Sequence, residues 1–351
     1  MALMLLLGAC LVVSVVGVSA PRSRAWESSS SSLSFATQEP RCYLDPRFNP
    51  TYEMHYNTDV LWQIPESPRG VMYLAHGRFL DIFSFFDRSP GCERCYGLPE
   101  DRAIVLDALD RKYAVIVVKS LGDEWDSWPI ETSKDKVVVT SIVTDWVMEH
   151  GLDELPMVGF GYSSGGNFTS MLSPILGMKS IVILDSPGVY EILENADASY
   201  PPTLYFYMPK DPFFTSQILR NVELMKSRGV KVEHVPMLEF PIILEFFALR
   251  NPCISNETSR SIFRALLNAK LLDENNLVTI SPWEFDYNSW IEENDLLSGC
   301  IPHTCLSEQV VQELNIAFAF HSMSSTKNDI MFDWFESSLE SEVVNPMLSN
   351  V

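Results

Sequence analysis

The chain has 351 residues, of which 46% are hydrophobic and 20% charged, a balance that supports a packed core and excludes a disordered, collagen-like or coiled-coil chain. Asp and Glu number 46 against 25 Lys and Arg, giving a formal charge of −21. A chain this acidic repels nucleic-acid phosphates and anionic membrane surfaces, so no nucleic-acid partner is expected.

Residues 1–20 (MALMLLLGACLVVSVVGVSA) are apolar, carry no charge and end in Val18-Ser19-Ala20. Small residues of this kind precede a signal-peptidase cut, so the segment reads as a signal peptide leading to the secretory pathway or the cell exterior. An uncleaved membrane anchor is the alternative. The run lacks an N-terminal Lys or Arg and approaches the roughly 20 residues that span a bilayer. Residues 21–40 (PRSRAWESSSSSLSFATQEP) read as a Ser-rich linker. Behind a signal, such a segment also suits the second half of a two-step plastid address, although Glu27 and Glu39 count against that reading. No later stretch is long and apolar enough to span a membrane, so no stable span is expected after signal cleavage.

Beyond Cys10 the cysteines are Cys42, Cys92, Cys95, Cys253, Cys300 and Cys305. An even set behind a signal suggests disulfides. Cys92–Cys95 and Cys300–Cys305 are natural local pairs, which leaves Cys42 with Cys253, but spacing alone does not choose among the connectivities. A metal reading of Cys92-Glu93-Arg94-Cys95 lacks a second CxxC or a His pair at finger spacing, so no metal site is expected. Asn256-Glu257-Thr258 is a glycosylation sequon in a polar stretch. Asn167-Phe168-Thr169 matches the pattern but falls in a helix expected to be buried.

Two leading antiparallel strands are expected near residues 52–56 and 60–64. Nearly continuous apolar runs follow at 70–75 (GVMYLA), 114–118 (AVIVV), 155–160 (LPMVGF), 180–184 (SIVIL), 203–208 (TLYFYM) and 230–235 (VKVEHV). Runs of this type suit parallel strands covered on both faces. Helical patterns alternate with them at 99–112, 134–150, 164–176 and 215–228. In the second of these, Val138, Ile142, Trp146 and Val147 share one face. The alternation predicts an α/β domain with a mostly parallel sheet. It stops after residue 236. Residues 237–306 hold Phe246, Phe247, Phe263, Trp283, Phe285 and Trp290, and read as an inserted helical cap. Two helices, at 307–320 and 327–339, close the chain.

The strongest motif is Gly161-Tyr162-Ser163-Ser164-Gly165, a G-x-S-x-G between an apolar strand and a helical pattern. A nucleophile elbow needs that setting: the chain turns sharply and holds a serine in a strained conformation. Gly161 and Gly165 remove side chains that would collide there. The helix start then offers backbone N–H groups to a developing oxyanion. Upstream, Leu74-Ala75-His76-Gly77-Arg78 ends a strand where a second oxyanion donor is required. The expected donors are the backbone N–H groups of Arg78 and Ser164. Gly77 permits close approach, and His76 reads as a brace for this loop.

Elbow, His-Gly turn and alternating strands together resemble the α/β-hydrolase superfamily over roughly residues 58–340. The run Glu313–His321 (ELNIAFAFH) with Phe332-Asp333-Trp334-Phe335 is similar to a plant and algal branch of it. The resemblance implies an α/β-hydrolase fold, with a mostly parallel sheet flanked by helices and a helical cap after the last core strand. The boundaries then read as a core over 41–236, a cap over 237–306, core helices over 307–340 and a tail over 341–351. The resemblance also implies the order serine, acid, histidine. Asp211, after TLYFYMPK, is the expected acid, with Asp185 one strand earlier as its competitor. No histidine follows the last strand directly, and His234 lies within it. His321 returns to the required place if 237–306 is an insertion. His303 reads as a loop residue.

The implied activity is a serine hydrolase cleaving an ester, or a thioester or amide, of a small-molecule or lipid-like acyl substrate. No cofactor is called for. Aromatics of the cap are expected either to line an acyl pocket or to pack the cap, with Trp125 and Trp128 at a pocket rim. An exopeptidase or acyltransferase on the same scaffold, and a catalytically silent binding protein, remain as alternatives.

Overall fold

The computed structural model describes residues 45–298, 300 and 306–343. The signal peptide, the Ser-rich linker, Cys42, His303, Cys305 and most of the tail expected from the sequence lie outside the described residues.

Eight strands form one sheet: β1 (Thr51–His55), β2 (Thr58–Gln63), β3 (Gly70–Ala75), β4 (Tyr113–Val118), β5 (Met157–Tyr162), β6 (Ser180–Leu184), β7 (Thr203–Tyr207) and β8 (Val232–Pro236). Their order is β1-β2-β4-β3-β5-β6-β7-β8. β1 and β2 pair antiparallel, as does β2 with β4, and every pair from β4 onward is parallel. The helices are α1 (Pro99–Asp110), α2 (Lys134–Glu149), α3 (Ser164–Leu172), α4 (Tyr190–Leu193), α5 (Pro212–Ser227), α6 (Phe246–Arg250), α7 (Asn256–Asn268), α8 (Tyr287–Glu293), α9 (Ser307–Phe318) and α10 (Asn328–Val343). This is the mostly parallel, helix-flanked sheet of the α/β-hydrolase fold that the sequence predicts.

The alternation within each strand decides which helices cover which face. Val71, Tyr73, Ile116, Ile181 and Ile183 pack against α2, α3 and α5 through Ile142, Trp146, Phe168 and Ile218. Met72, Leu74, Val115, Val117, Phe160 and Val182 pack against α1 and α10 through Ile104, Val105, Phe332 and Phe335. Both faces are therefore dry, and β3, β4 and β6 are buried along their whole length. Local signals fix the helix starts. Ser133 accepts from the Lys136 N–H to begin α2, and Asp211 accepts from the Phe214 N–H with Pro212 in the first turn of α5.

The described part of 237–306 holds α6, α7 and α8. It packs a third core of Ile242, Phe247, Ile262, Leu266, Tyr287 and Ile291 against Val310, Leu314 and Ala317 of α9. Of the six aromatics singled out there, Phe246, Phe247 and Phe263 are buried, Phe285 and Trp290 are half-buried, and Trp283 is 65% exposed. Cys92 and Cys95 form the expected disulfide, and Cys253 and Cys300 each take part in a disulfide as well. Among the described residues, no helix is long and apolar enough to cross a membrane.

Candidate active site

Strand order reverses at β3, with β4 on one side and β5 on the other. Such a switch opens a crevice at the carboxyl ends of the strands, where ligands of open α/β sheets bind. The serine motif stands there. β5 ends at Tyr162, α3 begins at Ser164, and Ser163 between them has φ 53° and ψ −119°. A non-glycine residue pays for that conformation in strain. The flanking glycines are required by proximity. A Cβ on Gly161 would lie 2.3 Å from the Gly165 carbonyl oxygen, and one on Gly165 would lie 2.4 Å from the Ala75 carbonyl oxygen. The elbow is thus pressed against the end of β3.

His321 reaches the serine from the far end of the chain. α9 stops at Phe318, Ala319 takes a left-handed conformation at its C-terminus, and His321 has φ 38°. Its carbonyl accepts hydrogen bonds from Tyr162 Oη at 3.0 Å and Asn315 Nδ2 at 3.2 Å. The ring stacks on Phe214 at 4.7 Å, and the exposed Trp283 stands edge-on at 5.8 Å. So held, Nε2 lies 2.9 Å from Ser163 Oγ.

On the other side of the ring, Nδ1 lies 3.2 Å from Asp211 Oδ2. No aligned N–H···O hydrogen bond forms between them, so the ring and the carboxylate are in close contact, which becomes an ion pair when the ring is protonated. Both side chains are over nine-tenths buried. Burial lowers the His321 pKa below the ordinary 6.5, and the Asp211 charge opposes that shift. The imidazole is therefore neutral at pH 7 and able to accept a proton.

Asp185, the competing acid, directly follows β6 and has φ 48°. Its Oδ1 accepts the Met208 N–H at 2.8 Å, and burial pushes its pKa up to about 8. It is a neutral, buried brace between the ends of β6 and β7, and the carboxylate at the imidazole is Asp211. His234 lies in β8, its ring 5.8 Å from that of Tyr207.

His76 is buried. Nδ1 lies 2.8 Å from the Gly77 carbonyl oxygen, and Nε2 accepts the Ser120 N–H at 3.1 Å. Burial lowers its pKa to about 4, so the ring is neutral and Nδ1 carries the proton donated to Gly77. A Cβ on Gly77 would lie 2.7 Å from the Tyr162 ring, which explains the glycine. Arg78 follows at the crevice edge and Ser164 opens α3. Neither backbone N–H has an acceptor among the described residues. No group of His, Cys, Asp or Glu that could hold a metal ion occurs among the described residues.

Several supports lay beyond the sequence reading. Trp125 is buried: its Nε1 donates to the His76 carbonyl at 2.8 Å, and its backbone N–H donates to Ser164 Oγ at 3.0 Å. Trp125 and the half-exposed Trp128 both border the cavity walled by Ser163, as expected. Asp135 accepts from the N–H groups of Leu121 and Asp126 and pins this loop beside the elbow. Phe214 sits three residues past the N-cap Asp211, in the first turn of α5. Trp283, one of the cap aromatics singled out in the sequence, lines the cavity beside His321, whereas the role of Asn315 carried no local signal.

No family model matches the sequence, and no curated protein matches it. Among solved structures the chain is similar to a thermostable esterase, at 15% identity over 55% of each chain with a TM-score of 0.41. A carboxyl esterase from the fungus Tuber melanosporum matches at 15% identity over 55% of this chain and 77% of that one, TM-score 0.39. A carboxyl esterase from Bacillus coagulans matches at 9% identity over 63% of this chain and 98% of that one, TM-score 0.41. The chain thus spans about half the length of the first of these and nearly all of the last. These likenesses cover only part of the chain.

Proposed function

We propose that the protein is a serine hydrolase that cleaves an ester, or a thioester or amide, through an acyl-enzyme. Ser163 is the nucleophile, His321 the general base and then acid, and Asp211 the group that orients the imidazole. Neutral His321 Nε2 takes the Ser163 proton as Oγ attacks the acyl carbon. The backbone N–H groups of Arg78 and Ser164 receive the negative charge that develops on the carbonyl oxygen. His321 then protonates the leaving group. Water, activated by the same imidazole, adds to the acyl carbon and releases the acid. Asp211 holds the tautomer with the proton on Nδ1 and stabilises the imidazolium that forms.

One observation carries this reading. Ser163 Oγ, His321 Nε2 and Nδ1, and Asp211 Oδ2 follow one another at 2.9 and 3.2 Å, although the residues come from three separate parts of the chain. A satisfied interhelical histidine has no need of both partners. Turnover of p-nitrophenyl acetate provides the test. The wild-type protein is expected to hydrolyse it, and Ser163→Ala to lose at least about 10³-fold in kcat. Undiminished turnover in the variant would remove Ser163 as the nucleophile, and no turnover in the wild type would favour a silent binding protein on this fold.

A further inference from the structure

Two cavities open on either side of the Ser163–His321 pair, and they are chemically unlike. The first, about 560 Å³, has His321 in its wall with Tyr96, Leu98, Tyr162, Val311, Met323 and Trp283. Of the polar side chains in its wall, Gln312 and Asn315 are partly engaged, Glu308 is exposed, and the Oδ1 atoms of Asn288 and Asn315 have no partner among the described residues. Gln312 is hydrogen-bonded to the Glu100 N–H and the Asp101 carboxyl, and Asn315 Nδ2 to the His321 carbonyl. Most of the surface it offers is nonetheless apolar. The second, about 590 Å³, is walled by Ser163 and Ser164 with Arg78, Glu124, Ser127 and Asn167. Arg78 and Glu124, 3.4 Å apart, are each about half exposed. Asn167 Oδ1 is held by Ser186 Oγ, which leaves Nδ2 for a ligand. Each cavity is within the roughly 300–1,000 Å³ usual for small-molecule sites.

The acyl-enzyme chemistry assigns one part of the substrate to each cavity, and the inference rests on that reading. The acyl carbon becomes bonded to Ser163 Oγ, so the acyl group stays with the cavity that Ser163 walls. The leaving oxygen must take its proton from His321 Nε2, so the alcohol departs through the cavity that His321 walls. We propose that the preferred substrates are esters of a large apolar alcohol with a short, hydrogen-bonding acyl group. In the step itself the Oγ–C bond forms and the C–O bond to the alcohol breaks. The Ser163 proton passes through His321 to the departing alcohol, and water later supplies the hydroxyl of the released acid.

Two mirror-image ester series test this. In one, lactate is esterified with alcohols from methanol to dodecanol. In the other, ethylene glycol is esterified with acids from butanoic to dodecanoic. The proposal predicts that kcat/KM rises along the lactate series by roughly tenfold for every two methylenes that enter the apolar cavity, and stays flat or falls along the glycol series. Val311→Trp, which narrows that cavity, is expected to raise KM for octyl lactate more than for methyl lactate. If it fails to fold, the two series with wild-type protein still decide. A steeper rise along the glycol series overturns the assignment while leaving the serine hydrolase intact. Absence of Ser163-dependent turnover of every ester in both series would overturn the hydrolase reading itself.

Discussion

The two oxygens of Asp211 have different partners. Oδ1 accepts the Phe214 N–H at 3.1 Å and starts α5, while Oδ2 faces His321 Nδ1. The two tasks separate by substitution. Asp211→Asn keeps an N-cap acceptor but removes the charge, so its thermal midpoint should stay near wild type while kcat falls by on the order of 10³–10⁴. Asp211→Ala loses the cap as well and should cost about 1 kcal/mol of stability, read by denaturant titration. Equal instability in both variants would mean that the carboxylate serves the fold alone. The pH profile adds a sign. Protonated His321 accepts no proton from Ser163, so kcat/KM should fall with acid through a midpoint below 6.5, because burial lowers the imidazole pKa. Asp211 opposes that shift, so in the residual activity of Asp211→Asn the acid limb should move to still lower pH. Movement to higher pH would contradict the assignment.

At the scale of elements, the turn from β5 to α3 stores strain at one residue. Ser163 at φ 53° and ψ −119° is in a region open to glycine and costly for other residues. Ser163→Gly should therefore raise stability by about 1 kcal/mol over Ser163→Ala, with both variants inactive. A glycine variant no more stable than the alanine one would remove strain from the account. The same stretch marks how far sequence carries. Its strand and elbow were legible from the apolar run and the glycines. The run reads as 155–160, but β5 continues to Tyr162, because Gly161 and Tyr162 still pair with Ile183 and Leu184 of β6. The helix ends at Leu172, short of the expected residue 176, because Pro174 cannot continue it. α5 starts earlier than expected because Asp211-Pro212 caps it. Chain order pointed to His321, but not to the left-handed Ala319 or the φ 38° at His321 that turn the imidazole back. Nor did it show the ring of Phe214 beneath it. Those depend on contacts between segments distant in sequence, which local patterns do not encode.

Across the molecule, a buried charge cluster joins parts of the chain that come together only in the fold. Arg250 of α6 contacts both Glu100 of α1 and Glu313 of α9, and both carboxylates are almost fully buried. Glu100 also accepts the Ser325 N–H at 2.7 Å, within the loop that follows His321. The cluster thus ties the segment after β8 to the core and to the loop carrying the imidazole. Burial, reinforced by Glu100, holds the Glu313 carboxyl well above the usual range, with Arg250 opposing it. Removing the cation leaves two acids without their counter-charge. Arg250→Ala is expected to lose about 3 kcal/mol at neutral pH. The folded variant would bind protons more tightly than its unfolded chain, so part of that loss should return as pH falls. Chemical denaturation at several pH values measures it, and a pH-independent loss would place the effect in packing alone.

The proposed chemistry rests on the reactivity of the Ser163 hydroxyl. Treating the full-length protein with a fluorophosphonate and mapping the adduct by peptide mass spectrometry tests that most directly. A single adduct on the peptide carrying Ser163, absent from His321→Ala, is the expected result. Modification at another residue, or none in the wild-type protein, would contradict the central claim.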